Sequence, residues 1–139
     1  MWKMLQHPEP EDFVLATGET HTVRKFVELT FAQLGIEIEW RGEAENEKGI
    51  VSAIKNEKLK IKNEENPLSN LEFEICNLQL GDVVISIDPN YYRPTEVDLL
   101  IGDPSKAKSK LGWQAETKLE ELVEIMVNSD LKKVIEKGY

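Results

Sequence analysis

The clearest periodic signal in the chain lies just after Thr22, where Val23, Phe26, Val27, Thr30, Phe31 and Leu34 recur at helical spacing. Thr22 is a suitable N-cap and Gly35 a suitable stop, so the pattern predicts a helix over residues 22–34. The period then changes to two: Ile36, Ile38 and Trp40 alternate with Glu37, Glu39 and Arg41, as in a half-buried strand. Upstream, Trp2, Met4 and Leu5 mark a short amphipathic helix over residues 1–6, which His7-Pro8-Glu9-Pro10 ends. Phe13-Val14-Leu15-Ala16 reads as a buried strand and Val83-Val84-Ile85-Ser86-Ile87 as another; these two are expected to form the spine of the sheet.

Two helices follow. Asp103-Pro104 is a helix start, with proline where a missing N–H costs nothing, and Gly112 is a stop, giving a helix over residues 104–111 with Trp113 set to fold back onto it. Thr117-Lys118-Leu119-Glu120 has the capping-box pattern and opens a helix over residues 118–135, with Leu119, Leu122, Val123, Met126, Val127 and Leu131 on one face. Residues 41–49 are polar and loop-like. Residues 51–80 are the least periodic, because Lys55, Lys58, Lys60 and Lys62 interleave with Asn and Glu. Within them Asn66-Pro67-Leu68-Ser69-Asn70 marks a turn, and the alternation of Leu71, Phe73 and Ile75 predicts an edge hairpin.

Composition limits what these elements can do. The 139 residues suffice for one compact domain, 1–139, with its own core. A profile 40% apolar and 31% charged is that of a globular chain. A formal charge of −9 opposes a nucleic-acid polymer as partner, which needs a basic stripe, whereas a single nucleotide needs only local positive charge. One cysteine, Cys76, excludes an internal disulfide, and with only His7 and His21 beside it no metal-ligand spacing arises. No apolar run approaches the ~18 residues of a membrane span and no leader opens the chain, so a cytoplasmic location away from membranes is expected.

The candidate chemistry is concentrated in Tyr91-Tyr92-Arg93-Pro94-Thr95-Glu96-Val97-Asp98, on the loop leaving the 83–87 strand. Arg93 on a proline-fixed turn has the planar fork of donors that grips a phosphate, and Glu96 can accept hydrogen bonds from sugar hydroxyls. The plain alternative is a local salt bridge on a solvated turn. Arg24, in the first turn of its helix, opposes the helix dipole, which fits either a bound anion or partner or a neighbouring carboxylate. His21 fits a cap or surface position better than a catalyst, and Trp2, Trp40 and Trp113 fit core or interface better than a stacking surface. The chain has no Gly-x-Gly-x-x-Gly, no phosphate loop and no Ser/His/Asp set. It shows a binding edge and no catalytic engine.

The stretches Met1-Trp2-Lys3-Met4-Leu5-Gln6, Pro10-Glu11-Asp12-Phe13-Val14-Leu15-Ala16-Thr17-Gly18-Glu19-Thr20-His21-Thr22-Val23-Arg24-Lys25-Phe26-Val27, Glu47-Lys48-Gly49-Ile50 and Val84-Ile85-Ser86-Ile87-Asp88-Pro89-Asn90-Tyr91-Tyr92-Arg93-Pro94-Thr95-Glu96-Val97-Asp98 resemble the C-terminal portion of GDP-mannose 4,6-dehydratases. Gly102-Asp103-Pro104-Ser105-Lys106-Ala107-Lys108 with Leu111-Gly112-Trp113 is similar to a wider set, the sugar-nucleotide epimerases and dehydratases of the extended short-chain dehydrogenase/reductase superfamily. Residues 53–79 match little and resemble an insertion.

The resemblance implies an α/β fold: a small substrate-binding domain of short strands and about four helices, with the Rossmann domain that holds NADP in this family absent from the chain. It implies GDP-mannose as substrate and GDP-4-keto-6-deoxymannose and water as products in the whole enzyme, with Arg93 on the diphosphate and Glu96 on the ribose of the GDP moiety. The family's Gly-rich cofactor loop, Tyr-x-x-x-Lys pair and acid/base glutamate have no counterpart here, so the chain alone is expected to bind no NADP, to carry no catalytic residue and to dehydrate nothing. Lys25 stands where many relatives carry Glu, removing a capping-box partner. The expected partners are a GDP-sugar, a separate Rossmann half and further copies of the chain, since apolar surface is expected to be exposed around Trp2. Two alternatives stay open: a non-enzymatic remnant or assembly module, and the equivalent domain of a GDP-sugar reductase or epimerase.

Overall fold

The computed structural model describes residues 1–55, 58–60, 72–74, 78–93, 95 and 100–137. The elements are α1 (Trp2–Leu5), α2 (Val23–Gln33), β1 (Ile36–Arg41), β2 (Lys48–Ile54), β3 (Lys58–Lys60), β4 (Glu72–Glu74), β5 (Val83–Ser86), α3 (Ser105–Leu111) and α4 (Leu119–Lys137), with a 3-10 turn, Ala44–Asn46, between β1 and β2. Among the described residues the fold is therefore a small α/β arrangement with four α-helices.

Sheet order is β1-β2-β5, antiparallel throughout, so β2 is the central strand. Ile36 pairs with Ile54 and Arg41 with Lys48, with an irregularity between Glu37 and Ile38; Gly49 pairs with Ile85, with a second irregularity between Gly49 and Ile50. A Cβ on Gly49 would lie 3.0 Å from Ile38 Cγ2 and 3.1 Å from Ile85 Cβ, so glycine lets three strands close up at this point. β3 and β4 form a separate antiparallel pair in which Lys58 faces Glu74 and Lys60 faces Glu72 in register. This agrees with the predicted hairpin, while the predicted Asn66–Asn70 turn lies outside the described residues.

Two expectations about the sheet need correction. Residues 13–16 are not a strand: among the described residues they join no ladder, and Val14 and Leu15 are about half exposed. They run instead beside Gly102, where a Cβ would meet Ala16 Cβ at 2.6 Å. An apolar run reports burial, not pairing. The spine is thus not residues 13–16 with 83–87; among the described residues β5 lies at the sheet edge and the centre is β2. That central strand, Lys48–Ile54, lies where the sequence reads as polar loop to residue 49 and as aperiodic from residue 51, because a glycine and a bulge break the alternation.

α2 and α3 begin where their capping residues place them. Lys25 N–H donates to Thr22 Oγ1 at 3.1 Å at the start of α2, and Gly35 ends it at φ +72°. Asp103 accepts from Ser105 N–H at 2.9 Å and from its hydroxyl before α3. At the other end Gly112 adopts a left-handed conformation (φ 56°, ψ 33°), its N–H reaching Lys108 O at 3.1 Å in the bond of an αL stop, with the Trp113 N–H reaching Ala107 O at 3.3 Å beyond it. α4 begins one residue late, its first bond running from Leu122 N–H to Lys118 O at 2.9 Å. α2 lies against both β1 and α4. The core is thin: Ile36, Val51, Ala107 and Val123 are its fully buried apolar residues among those described. No described helix is long and apolar enough to cross a membrane.

Candidate functional site

The turn that carries Arg93 is built on one residue. β5 ends at Ser86, and Asp88 then collects the backbone of the turn: Asn90 N–H donates to Asp88 Oδ1 at 2.9 Å, and Tyr91 and Tyr92 N–H donate to Asp88 O at 3.0 and 3.2 Å. The Asn90 side-chain amide adds a further bond to Oδ1 at 2.9 Å. Pro89 supplies a fixed φ and has no N–H to satisfy. Tyr91 and Arg93 are exposed while Tyr92 between them is half-buried, so the arm presents Tyr91 and Arg93 outward. Glu96 lies outside the described residues.

Arg24 belongs to a different cluster. Its guanidinium forms an ion pair with Glu47 and sits 5.3 Å from the Trp40 ring centroid. Trp40 Nε1 in turn donates to Glu28 Oε1 at 2.9 Å. The positive charge at the N-terminus of α2 is thus answered by a neighbouring carboxylate, one of the two readings its position allowed. The cluster ties α2, β1 and the approach to β2 together. It was not legible in the sequence because Glu47 stands 23 residues from Arg24.

A second network holds residues 11–19 to α3 and to Lys118, just before α4. Lys106 Nζ lies 2.8 Å from Glu11, donates to Asp12 O at 2.9 Å and sits 5.1 Å from the Phe13 ring centroid; Lys110 also pairs with Glu11. The hydrogen bonds from Lys106 and then Lys110 hold the Glu11 carboxyl well below its ordinary value, at about 2. Glu19 is held below the usual carboxylate range chiefly by Lys118, with His21 adding to it. His21 Nε2 lies 3.6 Å from Glu19 on the surface, and Thr22, not His21, caps α2. Asp103 is lowered by the Ser105 hydroxyl and N–H.

The link between α3 and α4 borders two open cavities of about 700 and 500 Å³. Lys108, Gln114, Ala115 and Glu116 line both; Lys3 and Trp113 line the larger. Neither lining includes Arg93. No group of His, Cys, Asp and Glu among the described residues is arranged to hold a metal ion.

Comparison with known proteins gives these features a context. The profile of the GDP-mannose 4,6 dehydratase family matches residues 1–126, and the chain belongs to that family. Particular relatives are GDP-mannose 4,6-dehydratases: that of Vibrio cholerae is 45% identical over 131 residues, which is 94% of this chain and 31% of the relative. That of Dictyostelium discoideum is 46% identical over 134 residues, 96% of this chain and 30% of the relative. The Homo sapiens protein is 42% identical over 132 residues, 95% of this chain and 28% of the relative. The chain therefore spans under a third of the length of the curated relatives it matches.

Proposed function

We propose that this chain is the C-terminal, substrate-binding part of a GDP-mannose 4,6-dehydratase and grips the GDP half of the sugar nucleotide. Arg93 holds the diphosphate and Glu96 the ribose. The observation that supports this most directly is the family match, which runs from residue 1 to 126 and so takes in the whole Asp88–Arg93 turn. The chemistry of the turn is consistent with it: an arginine on an exposed, hydrogen-bonded arm carries the planar fork of donors that suits a phosphate.

The described residues do not fit NADP. Their three-stranded sheet is antiparallel, without the strand–helix crossover whose Gly-rich turn cradles a dinucleotide pyrophosphate. On this proposal NADP and the hydride chemistry belong to the Rossmann part of the whole enzyme, and residues 1–126 contribute binding and orientation of the GDP-sugar. Turnover by the chain alone is not expected.

Calorimetric titration with GDP-mannose and with GDP tests the proposal. The wild-type chain is expected to bind both, and Arg93→Ala to weaken binding by about 1.5–3 kcal/mol, the scale of a hydrogen bond to a charged group. No heat with wild type, or equal affinity in the variant, would remove the role given to Arg93.

A further inference from the structure

We propose that Asp88 is the positioning residue of the nucleotide grip, an inference that rests on the reading of Arg93 just given. Between Asp88 and Arg93 the backbone has three N–H groups to satisfy, those of Asn90, Tyr91 and Tyr92, because Pro89 has none. All three end on Asp88, one on its carboxylate and two on its carbonyl. The Asn90 amide adds a fourth bond to the same carboxylate oxygen, tying the middle of the turn to its root. Arg93 is the next residue after this closed set, so Asp88 fixes the backbone from which it leaves the turn.

Geometry, not charge, is what Asp88 supplies. A carboxylate near a phosphate-binding arginine would by itself weaken anion binding, so a merely electrostatic Asp88 predicts tighter binding when the charge is removed. The side-chain oxygen of asparagine can accept the same Asn90 N–H and keep this type of turn, whereas alanine cannot. The two substitutions therefore separate the explanations.

The experiment is calorimetric titration of GDP into wild type, Asp88→Asn, Asp88→Ala, Arg93→Ala and the Asp88→Ala/Arg93→Ala double variant, each checked for folding by circular dichroism. Asp88→Asn is expected to bind within about twofold of wild type, and Asp88→Ala about five- to tenfold more weakly, through loss of the two hydrogen bonds from Asn90 to the carboxylate. In the Arg93→Ala background the Asp88→Ala loss is expected to vanish, because Asp88 acts through Arg93. Tighter binding in both Asp88 variants, an unchanged Asp88→Ala affinity, or a loss that persists without Arg93 would each overturn the positioning role. If wild type binds no GDP, the reading of Arg93 fails first and this role falls with it; if wild type binds and only Arg93→Ala weakens, the role of Asp88 alone fails.

Discussion

A methyl group added at Gly102 would lie 2.6 Å from Ala16 Cβ and 3.2 Å from Val14 Cγ1, both short side chains without a flexible end to swing aside. Gly102→Ala is therefore expected to lower stability by about 1–3 kcal/mol, through overpacking of residues 13–16. Urea unfolding measures it, and an unchanged midpoint would show that residues 13–16 shift freely. Charge acts at the same scale. Glu11 ionises at about 2 in the folded chain against an ordinary 4.5, because Lys106 and Lys110 hydrogen-bond its carboxylate. A carboxylate whose folded value is depressed stabilises fully above its unfolded value and loses that contribution as the pH falls through the folded one. Glu11→Gln should therefore narrow its stability difference from wild type between 4.5 and about 2. A difference constant across that range in acid titrations would exclude the pairing as its cause.

Among the elements, α2 and α4 show how helices of similar pattern carry different weight. Val123 on α4 is fully buried, whereas Val23 at the first position of α2 is 80% exposed although it belongs to the apolar periodicity. Val123→Ala is expected to cost about 2 kcal/mol in thermal unfolding, the transfer of two methyl groups plus a residual cavity. Val23→Ala should stay within about 0.5 kcal/mol. The start of α2 is also incompletely capped: Thr22 accepts from Lys25 N–H, but Lys25 has no carboxylate to return the bond, and a positive charge sits in the first turn. Lys25→Glu should therefore raise stability by about 0.3–1 kcal/mol. A lower melting temperature would show that Lys25 makes a contact worth more than the cap.

At the scale of the molecule, apolar side chains are left outside a thin core. Met1, Trp2 and Leu5 are 89%, 73% and 80% exposed, and α1 buries none of its residues. Met1, Trp2, Met4, Leu15, Leu111 and Trp113 line a cavity of about 200 Å³ beneath them, and Lys3 Nζ tethers α1 to Gly112 O at 3.1 Å. Apolar surface gathered in one place drives association. Sedimentation velocity should show the chain self-associating, and Trp2→Glu combined with Leu5→Glu should shift it toward the monomer. An unaltered distribution would place the contact elsewhere.

Local signals determined much of this protein on their own. Periodicity and capping residues placed α2, β1, β5, α3 and α4 to within a residue or two, since helix spacing, Thr22, Asp103 and Gly112 act through neighbours a few positions away. The family resemblance was legible too, because it rests on runs of consecutive residues. Tertiary structure alone decided which strand is central. Gly49 reads as a loop residue until Ile38 and Ile85 close on it, and residues 13–16 read as a strand although they join no ladder among the described residues. It also decided the partners of Arg24 and Glu11, which lie 23 and about 95 or more residues away along the chain. Ladder bonds and ion pairs join residues by distance in space, and one chain read in order carries no record of that distance.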